Sequence, residues 1–188
     1  HFEGNSWHGW ERNRHLRNRG DGTFEEIGTP AGSDLLLNSR GIAAADFWNR
    51  GVLDLAVAAS TDRAALLRNE LAGRRHYLAV ELTGAGRDQP DGTNRDAVGA
   101  RVTVSAGGMA QVREVTLGDG YGSQNALRLH FGLGDATVVD SLTVHWPRSG
   151  LTQSFHNIPA DRIVTLTEGA NELGKLGPDE PLDLRTMR

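Results

Sequence analysis

Leu142-Thr143-Val144-His145-Trp146, read with Leu127-Arg128-Leu129-His130-Phe131 and Arg101-Val102-Thr103-Val104-Ser105, decides the fold. In each stretch every second residue is apolar and its neighbours are polar. That two-residue period belongs to a strand with one buried face, whereas a helix repeats its apolar positions every three or four residues. Gly107-Gly108 after the third stretch offers two residues that tolerate positive φ, as a two-residue hairpin requires. Gln111 to Thr116, Thr152 to Ile158 and Ile163 to Thr167 continue the pattern, and Pro147 to Gly150 forms a turn. Six or seven short strands at regular spacing between Ala97 and Gly169 predict a small antiparallel β-sandwich or barrel.

Moving towards the N-terminus, His76 to Leu82 alternates as a further strand. Thr83 to Asp96 is rich in Gly, Asp, Asn and Pro and reads as a long exposed loop, functional or mobile. Before it, Leu16-Arg17-Asn18 and Leu67-Arg68-Asn69 echo each other across about 50 residues, a spacing typical of propeller blades. The expected organisation is all-β. Degenerate propeller-type repeat blades occupy residues 1–69, a β domain residues 70–169 and a polar tail residues 170–188. The tail, with Pro178 and Pro181, is expected to be ordered only where it packs on a neighbour.

Composition narrows the function. The 188 residues carry a net charge of −4 and no cysteine. Disulfides, thiolate metal sites and cysteine nucleophiles are therefore out, and no basic face for nucleic acid is signalled. Lys175 is the only lysine, so the basic residues are almost all arginine, a bias typical of a GC-rich genome. The longest apolar run is far too short to span a membrane. The chain opens on His1 without a leader-like segment, which reads as a piece of a longer protein.

Five motifs occur in order: Arg95-Asp96-Ala97-Val98-Gly99-Ala100-Arg101-Val102, Gln111-Val112-Arg113-Glu114-Val115, Gly120-Tyr121-Gly122-Ser123-Gln124, Leu129-His130-Phe131-Gly132-Leu133-Gly134 and Val139-Asp140-Ser141-Leu142-Thr143-Val144-His145-Trp146-Pro147. Together they resemble the ASPIC and UnbV family over about Arg95 to Gly150. The preceding segment is similar to the FG-GAP (VCBS-like) repeats of the cartilage acidic protein family and its bacterial relatives. The resemblance implies a secreted or periplasmic β-propeller followed by a β domain, and no known reaction. The UnbV name also attaches to enediyne antibiotic clusters, so an accessory role in secondary-metabolite biosynthesis is the alternative. A structural subunit of an extracellular assembly, including a homo-oligomer, is a third reading.

In FG-GAP repeats a loop Asp-x-Asp-x-Asp-Gly-x-x-Asp binds calcium. Here the loop is Asp46-Phe47-Trp48-Asn49-Arg50-Gly51-Val52-Leu53-Asp54. Calcium needs six to eight oxygen ligands, and Trp48 and Arg50 stand at two ligand positions. Two readings stay open. One is a weak calcium site built on Asp46, Asn49 and Asp54. The other is a metal-free loop in which Arg50 pairs with Asp46 or Asp54.

No catalytic residues are assigned. There is no Gly-x-Ser-x-Gly elbow and no zincin helix. Glu25 and Glu26 are adjacent and face opposite ways on a strand. His1, His8 and His15 recur every seven residues, but Trp7, Trp10 and the glycines argue against a helix there. His130 and His145 lie on polar strand faces and read as solvated. The candidate ligand-binding group is Arg95, Asp96, Tyr121, Ser123, Gln124 and Asn125, suited to a glycan or a protein partner. The competing reading pairs Arg95 with Asp96 and leaves Tyr121 as a cover for the core.

Overall fold

A computed structural model describes residues 11–61 and 63–176; His1, Trp7, His8, Trp10, Pro178 and Pro181 lie outside them. The described residues are all-β apart from one four-residue helix and a short 3-10 turn. The N-terminal segment holds β1 (Glu11–Arg12), β2 (Leu16–Asn18), β3 (Phe24–Glu26), β4 (Leu36–Leu37), β5 (Ser39–Ala45), β6 (Asp54–Ala59) and β7 (Ala65–Leu67). They form two two-stranded ribbons, β1-β4 and β2-β3, and a three-stranded sheet β5-β6-β7. Asn18 and Asn69, the ends of the echoed tripeptides, each accept a hydrogen bond from the amide two residues on, at 2.8 and 2.9 Å. The echo is thus one local turn used twice.

The larger unit comprises β8 (His76–Thr83), β9 (Arg101–Ala106), β10 (Met109–Glu114), β11 (Leu129–Gly134), β12 (Val138–His145), β13 (Thr152–Pro159), β14 (Arg162–Thr167) and β15 (Gly174–Leu176). Two four-stranded sheets, β10-β9-β12-β13 and β11-β8-β14-β15, face each other. The alternating residues of the sequence supply the core: Val102 and Val104, Leu129 and Phe131, Leu142, Val144 and Trp146 are all buried. At the β9–β10 hairpin Gly107 and Gly108 take φ of 55° and 78°, as a two-residue turn demands. One pairing departs from a purely antiparallel sandwich: β14 runs parallel to β8, with Arg162 opposite Leu78. The long excursion through the other sheet supplies the crossover that a parallel pair needs. At the end of the described residues β15 is held by pairing with β14.

The loop read as exposed, and as either functional or mobile, is largely exposed but anchored at its base. Thr93 is fully buried, and Glu168 is nearly so. The Glu168 carboxylate accepts bonds from the Ala85 amide (2.8 Å), the Thr93 amide (2.7 Å), the Thr93 hydroxyl (2.9 Å) and the Ser149 hydroxyl (2.5 Å). Burial alone raises its pKa, but the Ser149, Ala85 and Thr93 bonds outweigh that and hold it below the ordinary value of 4.5. A depressed folded-state pKa means a contribution that is complete above about pH 4.5 and lost as pH falls through the folded value. Glu168→Gln should therefore melt at a lower temperature near neutral pH, by about 2 kcal/mol of stability. It should also show a flatter decline below pH 4.5 than the parent. Parallel acid melting curves for the two proteins would refute the assignment.

Candidate functional site

The N-terminal segment packs on the outer face of β8 and β11 in the sheet β11-β8-β14-β15. This is why Ala79, which points away from the sandwich core, is only 3% exposed. Gly51, at φ 78°, lies against the ring of Tyr77, where any β-carbon would collide. Tyr77 stacks on His130 with ring centroids 5.8 Å apart and planes 3° from parallel. His130 Nε2 bonds the Gly51 carbonyl at 2.9 Å. Burial, with the Asp46 and Asp161 carboxylates nearby, pushes the Tyr77 phenol above its ordinary pKa. His130 is therefore half-buried in a seam, not the solvated residue its strand position implied. His145 stands on the other sheet, sharing a 3.3 Å bond with Thr152, so the two histidines never meet.

The segment 120–126 lines the free edge of β5. The Ala126 amide donates to the Ala44 carbonyl (3.0 Å), and the Ala44 amide donates to Asn125 Oδ1 (2.8 Å). Asn125 Nδ2 reaches Asp119 at 3.2 Å. Ser123 lies against Gly41, and its hydroxyl is buried without a hydrogen-bond partner among the described residues. Ser123 and Asn125 are thus engaged in the seam itself, covering a strand edge that would otherwise be open. Gln124 is exposed, and Tyr121 is 81% exposed, too open to cover any core.

In the Asp46–Asp54 loop, Asp46 accepts the amides of Arg50 (2.8 Å) and Gly51 (2.6 Å). Arg50 turns inward. Its Nη2 bonds Asp54 Oδ1 at 2.7 Å, its Nη1 bonds the Asn69 carbonyl at 3.0 Å, and its guanidinium lies 5.1 Å from the Trp48 ring centroid. Asp54 is fully buried and also accepts the Asn69 amide at 2.7 Å. Asn49 is turned away towards Arg128, at 2.6 Å. Asp54 Oδ2 is buried and accepts no hydrogen bond among the described residues. A divalent ion there would face the guanidinium already bonded to Oδ1, so the donor set does not fit calcium. Titration calorimetry should give no calcium isotherm tighter than millimolar; a micromolar one would overturn this. Among the described residues no three of His, Cys, Asp and Glu come together to hold a metal. His15 shares a 3.1 Å bond with Ser33.

Between the two parts lies a cleft of about 550 Å³. The N-terminal segment contributes Ala45, Asp46, Phe47 and Leu53. The sandwich side contributes Ala79, Glu81 and Leu82 from β8, Leu127, Arg128 and His130, and the loop residues Arg95 and Asp96. Glu81 is clamped by Arg128 through Nε and Nη2 at 3.1 and 3.0 Å. Arg95 and Asp96 are exposed and do not pair with each other; neither side chain has an ion-pair or hydrogen-bond partner among the described residues. Their turn is tightly built. The Ala97 amide bonds the Asn94 carbonyl (2.8 Å), and the Asn94 side chain bonds both the amide and the carbonyl of Val98, each at 3.0 Å. Ala97 is held at φ 54° while fully buried. A non-glycine residue rarely adopts that backbone, and such strain persists only where the surroundings impose it. Of the six candidates, the structure brings Arg95 and Asp96 into the cleft and leaves Tyr121, Ser123, Gln124 and Asn125 off its walls. Sequence reasoning missed Glu81, Arg128, His130 and Phe47, whose cleft positions depend on packing between segments far apart in the chain.

Fold and site define an all-β sandwich docked on a smaller β segment, with a cleft at the seam whose walls are mostly apolar and carry a few charged side chains. Residues 90–173 match the family model described as ASPIC and UnbV. The match reaches further than the five motifs do, yet it leaves out β8, a central strand of its sheet. No curated protein matches the chain.

Proposed function

We propose that this chain is a non-catalytic binding or assembly module, the C-terminal part of a larger repeat protein that works outside the cytoplasm. In this reading residues 1–69 end a propeller of FG-GAP/VCBS-like repeats and residues 70–169 form the β domain that closes it. The observation that carries the binding role is the seam cleft with its rigid, unpartnered Arg95–Asp96 turn. Its volume lies in the range of about 300–1,000 Å³ usual for ligand sites, and it exists only when both parts are docked. The other charged groups of the cleft and its imidazole are already engaged: Glu81 with Arg128, Asp46 with backbone amides, His130 with the Gly51 carbonyl. That pairing leaves no side chain poised as a nucleophile beside a base, which supports binding over turnover.

The repeat reading draws on the sheet β5-β6-β7. Its pairing puts Ile42 beside Val57, and Leu55 beside Leu67, on one face. Ile42 is 52% exposed there, over a hollow of about 430 Å³. One repeat cannot bury such a face alone, whereas a stacked neighbour does. The test is retention of the chain on immobilised glycan and peptide libraries. At least one ligand class should be retained and recovered chemically intact, with retention lost in Arg95→Ala. Absence of any retained ligand, or conversion of one, would sink the proposal.

A further inference from the structure

We infer that the seam cleft is a site for a neutral saccharide, read by Arg95 and Asp96 as a donor–acceptor pair; this rests on the binding role proposed above. Cleft charge supports the class. Asp46, Glu81 and Asp96 are set against Arg95 and Arg128, so the lining has a slight acidic excess and disfavours an anionic ligand. Glu81 and Asp46 are already satisfied, by Arg128 and by two amides respectively, so a cationic ligand would find only Asp96. Among the charged groups, what remains is one guanidinium fork that only donates beside one carboxylate that only accepts, with the Thr83 hydroxyl also on the lining. Neighbouring hydroxyls, each both donor and acceptor, answer both groups at once without a net charge. Phe47 and Leu127 supply apolar surface for the C–H face of a sugar ring.

The turn is preorganised for this. Asn94 clamps Val98 on both sides, Ala97 is locked in a strained conformation, and the base of the loop is tied down by Glu168. The backbone that carries the two side chains is already ordered, so a ligand has only their rotamers left to fix, which strengthens binding relative to a mobile loop.

The experiment is a binding panel on the full chain: neutral oligosaccharides, uronate- or sialate-bearing ones, amino sugars, and short peptides. It compares the parent protein with Arg95→Ala, Asp96→Ala and, as a control off the cleft wall, Tyr121→Ala. Both charged positions are exposed, so circular dichroism and melting temperature should be unchanged in those variants. The expected result is binding of neutral saccharides that is nearly indifferent to salt. It should weaken by about tenfold or more in each charge variant and stay unaltered in Tyr121→Ala. Binding confined to anionic sugars, lost in Arg95→Ala, strengthened in Asp96→Ala and steeply salt-dependent, overturns the neutral class and keeps the cleft as a site. Binding of peptides alone does the same. No binding by any class removes the site as well, and binding lost only in Tyr121→Ala moves it elsewhere.

Discussion

Arg50→Met lowers the melting temperature by roughly 10 °C, the expected result of stranding a buried carboxylate. Asp54 is fully buried, and the Arg50 side chain is 18% exposed. Removing one partner of such a pair costs about 3–5 kcal/mol, because the remaining charge has no water to turn to. For a chain of this size each kcal/mol moves the midpoint by about 2–4 °C. The loss should centre on the loop, with the Asn69 amide, which donates to Asp54, losing protection from hydrogen exchange. The double variant Arg50→Met/Asp54→Asn keeps an acceptor for that amide and deletes both charges, so it should regain most of the stability. If the single variant melts like the parent, the guanidinium is not what holds the loop.

Trp146→Ala has a comparable effect on the sandwich. Trp146 is 0% exposed and is the largest fully buried side chain among the described residues. Its indole N–H donates to Gln153 Oε1 at 2.6 Å. Gln153 Oε1 also accepts the Gly169 amide at 3.1 Å, and the Gln153 side-chain amide donates to the Ala170 carbonyl, so one side chain joins β12 to the chain after β14. Truncation leaves a cavity and an underused acceptor, a cost of about 3–5 kcal/mol. Trp146→Phe fills most of the volume and forfeits chiefly the hydrogen bond, about 1–1.5 kcal/mol. The order parent, Phe, Ala in thermal melts tests this; equal melting of Phe and Ala variants would show that packing of the ring contributes little.

The strands between Ala97 and Gly169 were legible because their signals are local. Val102 and Val104, or Leu142, Val144 and Trp146, betray the buried face by alternation, and Gly107-Gly108 betrays the hairpin by backbone freedom. His130 shows where that reasoning stops. Alternation placed it correctly on the outer face of its strand, but could not reveal that Gly51 and Tyr77 would close over it. Tyr121, Ser123, Gln124 and Asn125 read as one recognition cluster because they are polar and consecutive. Folding instead commits Ser123 and Asn125 to the edge of β5 and leaves Tyr121 in solvent. The anchoring of the loop from Thr83 to Asp96 was not legible because its anchor, Glu168, lies more than 70 residues away.

By itself, then, the order of residues determined an all-β chain, the inward side of the sandwich strands other than β10, where the apolar Val112 is 58% exposed and Arg113 lies over Phe131, and the Asp46–Asp54 loop with a cation of its own at Arg50. Those follow from two-residue periodicity and from side-chain charge, both readable within a few neighbours. The tertiary structure alone decided that β14 would lie parallel to β8, that the N-terminal segment would pack on the outer face of β8 and β11, and that Arg95 and Asp96 would end unpaired over a cleft. Each of these depends on contacts between residues dozens of positions apart, where burial and hydrogen-bond satisfaction are settled by the whole packed chain.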